Sequence, residues 1–364
     1  MECWSKPVYR ELNAEELKKI SVKSIDVNIR KKILENWDRI AKPLDSMGRF
    51  EKITAQIGAI LGTDKISISR RALIVFCADN GIVAEGVTQS GQDVTSTVAE
   101  MLGRGVSSSC VLAKAVGADV FPVDIGVNGG RFFGVIDKKI RRGTENFALK
   151  KAMSEDETLK AIAVGMETAD KLVQKGYEMI AIGEMGIGNT TTASAVTAAL
   201  LKTDAEAAAG RGAGLCDEGL RKKKKIISSA IEKYGLYDAD ALTVLSSVGG
   251  LDIAGMAGAC IGCAVNSVPV VLDGAISLAA ALTAERLVPG VRQYLIASHK
   301  SREASAGLLA EALGLEPVID ADMALGEGTG ALMLFPLIDT ALSLYNNGLT
   351  FDEIGMEEYK RFGR

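Results

Sequence analysis

The sequence predicts an α/β protein: a doubly wound, mainly parallel, Rossmann-like sheet with a small helical domain built from both chain termini. Three observations carry that prediction. From Ala72 onward, short β-rich runs alternate with helical stretches. Most of those runs are apolar almost throughout, as strands covered on both faces must be. The two ends of the chain carry helical spacing instead.

Taken in order, residues 1 to about 60 read as helical, with Leu12, Leu17 and Ile20, then Ile29, Ile33, Trp37 and Ile40, on helical spacing. Pro43 ends one element, and Gly48 lies in the loop before the helix FEKITAQIGAIL. The candidate strands are 72–78, 119–125, 178–183, 242–247, 268–273 and 293–298. Helical stretches such as SEDETLKAIAVGMETADKLVQKG and AERLVPGV separate them, and 331–362 returns to helix. The expected division is a small helical domain from 1–60 plus 335–364 and a large catalytic α/β domain over 61–334. A length of 364 residues leaves room for about two domains.

Composition narrows the function. At 48% hydrophobic and 24% charged, the chain is neither disordered nor a fibrous rod. Its net charge of −4 supplies no attraction to nucleic acid or an anionic membrane surface. Glycine is abundant at 39 residues against 7 prolines, which points to tight turns and close backbone approaches. The 6 cysteines make no disulfide framework, and Cys260 and Cys263 sit in the apolar run GMAGACIGCAV, which reads as a buried helix of small residues. With His299 as the single histidine, a His-rich metal centre or a His-based triad is disfavoured. No signal-like apolar region and no stretch long enough to span a bilayer is present, so a reducing cytoplasm is expected.

Chemistry collects at the ends of the predicted strands. Asp79-Asn80-Gly81, Asp124-Ile125-Gly126, Glu184-Met185-Gly186, Gly249-Gly250, Asp273-Gly274 and Ser298-His299 all follow such runs. In open α/β sheets that edge is where ligands bind. The segment GEMGIGNTTTASAV (183–196) joins a strand to a helix. Gly186 and Gly188 let a ligand approach the backbone, and Asn189, Thr190 and Thr191 stand at a helix start, which favours a phosphate or carboxylate. A capped helix without ligand is the plainer reading, and no lysine follows as in a Walker loop. GRGAG (210–214), with Gly212 and Gly214, precedes Lys222 and Lys223 and suits a second phosphate cradle, or merely a loop before the basic helix RKKKK (221–225). Glu327, between Gly326 and Gly328, is a carboxylate without side-chain neighbours in sequence. It is a candidate general base or, alternatively, the cap of the next helix.

In this order, GEMGIGNTTTASAV, GRGAGL, GGLDIAGMAGA, PVVLDGAISLAAAL, SHKS and LGEGTGALM resemble the nicotinate-nucleotide–dimethylbenzimidazole phosphoribosyltransferases of cobamide synthesis. KPLDSMGRFEKITAQIGAI and CADNGIVAEGVTQSGQDVT resemble that family's opening segments, and the likeness spans about residues 41–340. The resemblance implies transfer of ribose 5-phosphate from nicotinate mononucleotide to a benzimidazole nitrogen, with release of nicotinate. It implies Glu327 as the catalytic base and Glu184 as a second carboxylate. Gly186, Gly188, Asn189, Thr190, Gly212, Gly214, Lys223 and Ser298 would hold phosphate and ribose, and Asp79, Thr88, Ser90, Thr97 and Val98 the acceptor base. It further implies a homodimer that uses neither cofactor nor metal.

Three positions depart from the family pattern: Asn80 stands for a histidine, Ala213 for a threonine, and 88–98 lacks a V-T-x-Q-M run. The acceptor is therefore left open among 5,6-dimethylbenzimidazole, 5-hydroxybenzimidazole, adenine and a phenol. Two rival classes remain. A nucleotide-binding oxidoreductase would need a full dinucleotide fingerprint, which 183–188 lacks. A non-catalytic nucleotide-sensing subunit would be signalled by loss of the glycine-flanked acid, yet Glu327 and Glu184 are both present, and a weakly active partner subunit of a heteromeric enzyme stays open.

Overall fold

In the computed structural model, which describes residues 12–362, the strands form one six-stranded sheet. The helical expectation for residues 1–11 lies outside the described residues. The strands are β1 (Arg71–Ala78), β2 (Ala118–Gly126), β3 (Ile136–Asp137), β4 (Met179–Met185), β5 (Val270–Leu272) and β6 (Leu295–Ala297). Their order is β3-β2-β1-β4-β5-β6, and every neighbouring pair is parallel. The chain winds outward from β1 in both directions, so the topological switch point lies between β1 and β4.

Side-chain alternation along β1 explains the layers. All of β1 is buried; Ala72, Ile74 and Phe76 enter one hydrophobic core, while Leu73, Val75 and Cys77 enter another. The first core is covered by α1 (Ala14–Lys19), α6 (Glu155–Gln174), α7 (Asn189–Leu201), α8 (Ala205–Ala208) and α9 (Asp217–Tyr234). It continues through α10 (Ala241–Val248), α11 (Leu251–Val265), α12 (Ala275–Leu287) and α13 (Ala304–Leu313). The second is covered by α2 (Val27–Arg39), α3 (Arg49–Leu61), α4 (Asp93–Gly103), α5 (Ser108–Ala115) and α14 (Thr329–Asn347).

Local signals place several of these helices. Ser154 and Glu157 form a reciprocal cap at the start of α6, with bonds of 3.1 and 2.8 Å. The two ends of the chain meet: the Ala41 N–H donates to the Leu349 carbonyl at 2.8 Å, and the Phe351 N–H donates to the Arg39 carbonyl at 3.0 Å. The rings of Trp37 and Tyr345 lie 5.3 Å apart, and the Trp37 indole N–H donates to Thr54 Oγ1 at 2.8 Å.

Two expectations are corrected. Residues 242–247 are not a strand but lie in α10, whose first turn is capped by Asp240 accepting from the Thr243 N–H at 2.8 Å. A short, mostly buried run suits either element, and the Asp240 cap is the signal that decides. The sixth strand is instead the two-residue β3 at the sheet edge. The terminal helix also stops at Asn347; beyond Gly348 the chain extends, and Thr350 bridges to Ile40.

The small residues of GMAGACIGCAV are explained by α11 packing on α6. A Cβ on Gly165 would collide with the Gly255 carbonyl and come within 2.6 Å of the Ala259 nitrogen, while one on Gly258 would strike the Ile162 carbonyl. Cys260 and Cys263 are buried free thiols in that same helix. Since both obstacles are backbone, neither can swing aside. Gly165→Ala should therefore destabilise the chain by about 1–3 kcal/mol through overpacking, read as a lower urea midpoint; an unchanged midpoint would contradict this packing.

Candidate active site

The loops at the carboxyl ends of β4, β5 and β6 enclose a cavity of about 410 Å³. Strand β4 delivers Glu184 to its wall and runs into the turn Gly186–Gly188, from which α7 starts. Gly188 takes a left-handed φ of 95°, which turns the chain sharply into the helix. The turn is tied to α4 by the Ile187 N–H, which donates to Thr95 Oγ1 at 3.1 Å. Asn189 and Thr191 direct their N–H groups to the Gly186 and Gly188 carbonyls, at 3.0 and 2.9 Å.

Opposite this turn, residues 326–328 arrive with three successive positive φ angles, 89°, 57° and 78°. Gly328 approaches β4 so closely that a Cβ on Gly183 would collide with its nitrogen, and a Cβ on Gly326 would lie 3.0 Å from Glu184 Oε1. Glu327 is thereby brought into the same cavity as Glu184. It is half-buried, and its Oε2 accepts from the Ser109 hydroxyl at 3.1 Å and the Ser109 N–H at 3.3 Å, in the first turn of α5.

Glu184 belongs to a crowd of acids. The Asn189 side-chain amide donates to Glu184 Oε2 and, at 3.0 Å, to Asp252 Oδ2 in the first turn of α11. Burial, then the Asp252 charge, push Glu184 up to about 8, against a partial lowering by Asn189. Burial likewise raises Asp252 to about 6, with Asn189 and the Ile253 N–H acting the other way. Asp273, just past β5, is raised by burial and lowered by His299 and by backbone donors, whereas burial lowers His299. Near neutral pH, Glu184 is a proton-bearing acid, able to donate a hydrogen bond that an ionised carboxylate could not.

Of the residues singled out from sequence, Glu184, Gly186, Gly188, Asn189, Thr190, Gly212, Thr88, Ser90, Val98 and Glu327 line the cavity. Five others do not. Lys223 is fully buried on α9, where Nζ donates to Thr190 Oγ1 and the Gly210 carbonyl, both at 3.0 Å, and burial lowers it to about 8. It braces the wall, while its neighbour Lys222 is exposed. Gly214 accepts from the Gln89 side chain. Ser298 is buried, its hydroxyl donating to the Asp273 carbonyl at 3.2 Å. Asp79 ties β1 to the loop after β2 by accepting from the Asn128 N–H at 2.7 Å. Thr97 is exposed on α4, its hydroxyl donating to the Asp93 carbonyl at 2.9 Å.

Sequence reading passes over Asp252, Arg211, Gln89, His299 and Ser109 as site residues. Arg211, in GRGAG itself, lies on the cavity wall, and its guanidinium donates to the Leu215 carbonyl at 2.8 Å and to Asp217. Asp273 and His299 stand out in the sequence only as strand ends, although both line the cavity. Nothing local to Ser107-Ser108-Ser109 announces a partner more than 200 residues away; the separation is 218. Among the described residues, the acidic group with metal-like spacing, Asp38, Asp45 and Glu51, is already engaged by Arg361 and Lys42.

The acid crowd has a consequence for stability. A carboxyl whose folded value is raised contributes its full stability below the ordinary value of 4.5 and loses it as pH climbs towards about 8. Glu184→Gln cannot ionise, so it should gain on the wild type as pH rises. The gain expected between about pH 5 and about pH 8.5 is on the order of 1 kcal/mol or more. Urea unfolding at both pH values measures it, and a difference that does not change with pH would contradict a buried, protonated Glu184.

A family model described as phosphoribosyltransferase matches residues 22–356. The nicotinate-nucleotide–dimethylbenzimidazole phosphoribosyltransferase of Acetivibrio thermocellus is 42% identical over 324 residues, 89% of this chain and 92% of that protein. The enzyme of the same name from Clostridioides difficile is 40% identical over 337 residues, 92% of this chain and 97% of that one. The crystal structure of CobT from Thermus thermophilus matches with a TM-score of 0.87 at 36% identity, covering 91% of this chain and 100% of that chain. With likeness this extensive in sequence and in fold, the chain belongs to the nicotinate-nucleotide–dimethylbenzimidazole phosphoribosyltransferase family.

Proposed function

We propose that the cavity binds nicotinate mononucleotide beside a benzimidazole-like base and transfers ribose 5-phosphate between them, with Glu327 as the general base. The observation that carries this reading is the position of the Glu327 carboxylate in the same cavity as the glycine turn that starts α7. Thr190 and the α7 start supply hydroxyl and helix dipole for an anionic phosphate, with Arg211, ion-paired to Asp217, on the same wall. Val87, Val94, Val98 and Leu325 supply apolar wall for a flat heterocycle.

In the reaction, Glu327 takes the N–H proton of the acceptor while its other ring nitrogen attacks C1′. The C1′–N bond to the pyridinium breaks, its electron pair stays on nitrogen, and nicotinate leaves as a neutral pyridine ring. Attack from the face opposite the leaving group gives the α-ribotide. The departing ring needs no strong acid, so the work of the protein is to position two reactants, offer one base and exclude water. Protonated Glu184 is suited to donate a hydrogen bond to substrate instead of competing for the proton.

The assembly is proposed to be a homodimer in the cytoplasm, with the terminal helices as a small unit beside the 61–334 catalytic unit. Met333 and Leu337, one turn apart on α14, and Val111 on the adjoining α5 are exposed apolar side chains that support a self-contact. Among the described residues no helix is long and apolar enough to cross a membrane.

Incubation with nicotinate mononucleotide and 5,6-dimethylbenzimidazole should release nicotinate and yield an α-ribotide, followed by chromatography. A competition among that base, 5-hydroxybenzimidazole, adenine and p-cresol ranks the acceptors. Failure to form a ribotide with any of them would overturn the reading. Glu327→Gln should lower turnover by roughly 10²–10⁴-fold, the usual loss on removing a general base, with the nicotinate mononucleotide still bound; an unaltered rate would move the base elsewhere. Met333→Asp together with Leu337→Asp should convert a dimer to monomer in sedimentation, and no change in mass would exclude this face.

A further inference from the structure

We propose that Asp273 is a positioning residue that locks the loop carrying Glu327 into its reactive conformation, an inference that rests on Glu327 being the base. The start of α14 poses an unsolved local problem. The first N–H groups of any helix lack partners within it, and the residue at the cap position, Gly328, has no side chain to supply one. Asp273, at the end of β5, reaches across from a neighbouring element. Its Oδ2 accepts from the Gly328 N–H at 3.1 Å and its Oδ1 from the Gly330 N–H at 2.7 Å. A carboxylate at this place also meets the positive end of the α14 dipole.

The hold matters because the loop is not relaxed. Glu327 keeps a φ of 57° between two glycines that are also left-handed, a conformation unfavourable for a residue with a Cβ. Left to itself, that peptide would relax and swing its carboxylate out of the cavity. Two bonds to N–H groups one and three residues beyond Glu327 oppose this. On its other side Asp273 is backed by the buried His299, whose Nδ1 lies 3.9 Å from Oδ1 and 3.0 Å from Ser298 Oγ. The His299 ring fills the space in which a Cβ on Gly330 would sit, so the loop cannot shift towards it.

The test is a kinetic cycle on the full chain: wild type, Asp273→Asn, Glu327→Gln and the double variant, each with kcat and KM for nicotinate mononucleotide. Asparagine matches the carboxylate in shape but turns an NH₂ towards a backbone N–H. It should lower kcat by about 10–100-fold, the scale of a misplaced catalytic group, while KM moves less than about 3-fold. The double variant should be no slower than Glu327→Gln alone, because Asp273 acts only through the base. A kcat for Asp273→Asn within 2-fold of wild type, or losses that multiply in the double variant, would overturn the proposal. Glu327→Gln at the wild-type rate would instead remove the base assignment, and this inference with it. Should Asp273→Asn not fold, amide exchange on the wild-type protein decides. The Gly328 and Gly330 N–H groups should be protected by about 10²-fold or more over free-chain rates, and exchange at free-chain rates would refute the clamp.

Discussion

The site depends on a contact between two stretches of backbone that carry no side chain where they touch. Gly183 on β4 and Gly328 before α14 approach until a single added carbon on the first would strike the nitrogen of the second. That approach sets Glu327 against the end of β4, beside Glu184, instead of a side chain's width away. A parallel sheet buried on both faces makes the contact possible. The helices of both layers are pressed against its strands, and loops leaving the carboxyl ends have little room except over one another. The same economy recurs inside the first layer, where Gly165 and Gly258 let α6 and α11 meet at backbone distance.

Bringing those loops together also brings their charges together. Glu184, Asp252, Asp273 and Glu327 converge, and the Asn189 amide is shared between the first two. Like charges at this density cannot all ionise, so the environment sorts them. Glu184 keeps its proton near neutral pH because burial and the Asp252 charge push it up to about 8. Glu327, by contrast, accepts from the hydroxyl and amide of Ser109. The proposed division of labour between a proton-bearing acid and a base rests on which groups each one meets. Lys223 shows the same logic in reverse: buried behind Thr190, it spends its donors on the wall, and burial lowers it to about 8.

Whatever depends on near neighbours is legible in the amino-acid order. Strand–helix alternation reveals the parallel sheet and its functional edge, since periodicity is local. The glycine turn 183–188 and the glycine-flanked Glu327 stand out because a special backbone conformation restricts residue type on the spot. The 242–247 run misleads because a short run buried at all but Thr243 suits either element, and the deciding signal, the Asp240 cap, lies outside the run.

How the pieces meet was settled by folding alone. That Asp252 shares Asn189 with Glu184, that Ser109 holds Glu327, and that Lys223 braces the wall through Thr190 are relations between residues far apart in the chain. A carboxylate's proton affinity and a lysine's direction are set by what folding packs around them, and that information is written in no single stretch of sequence.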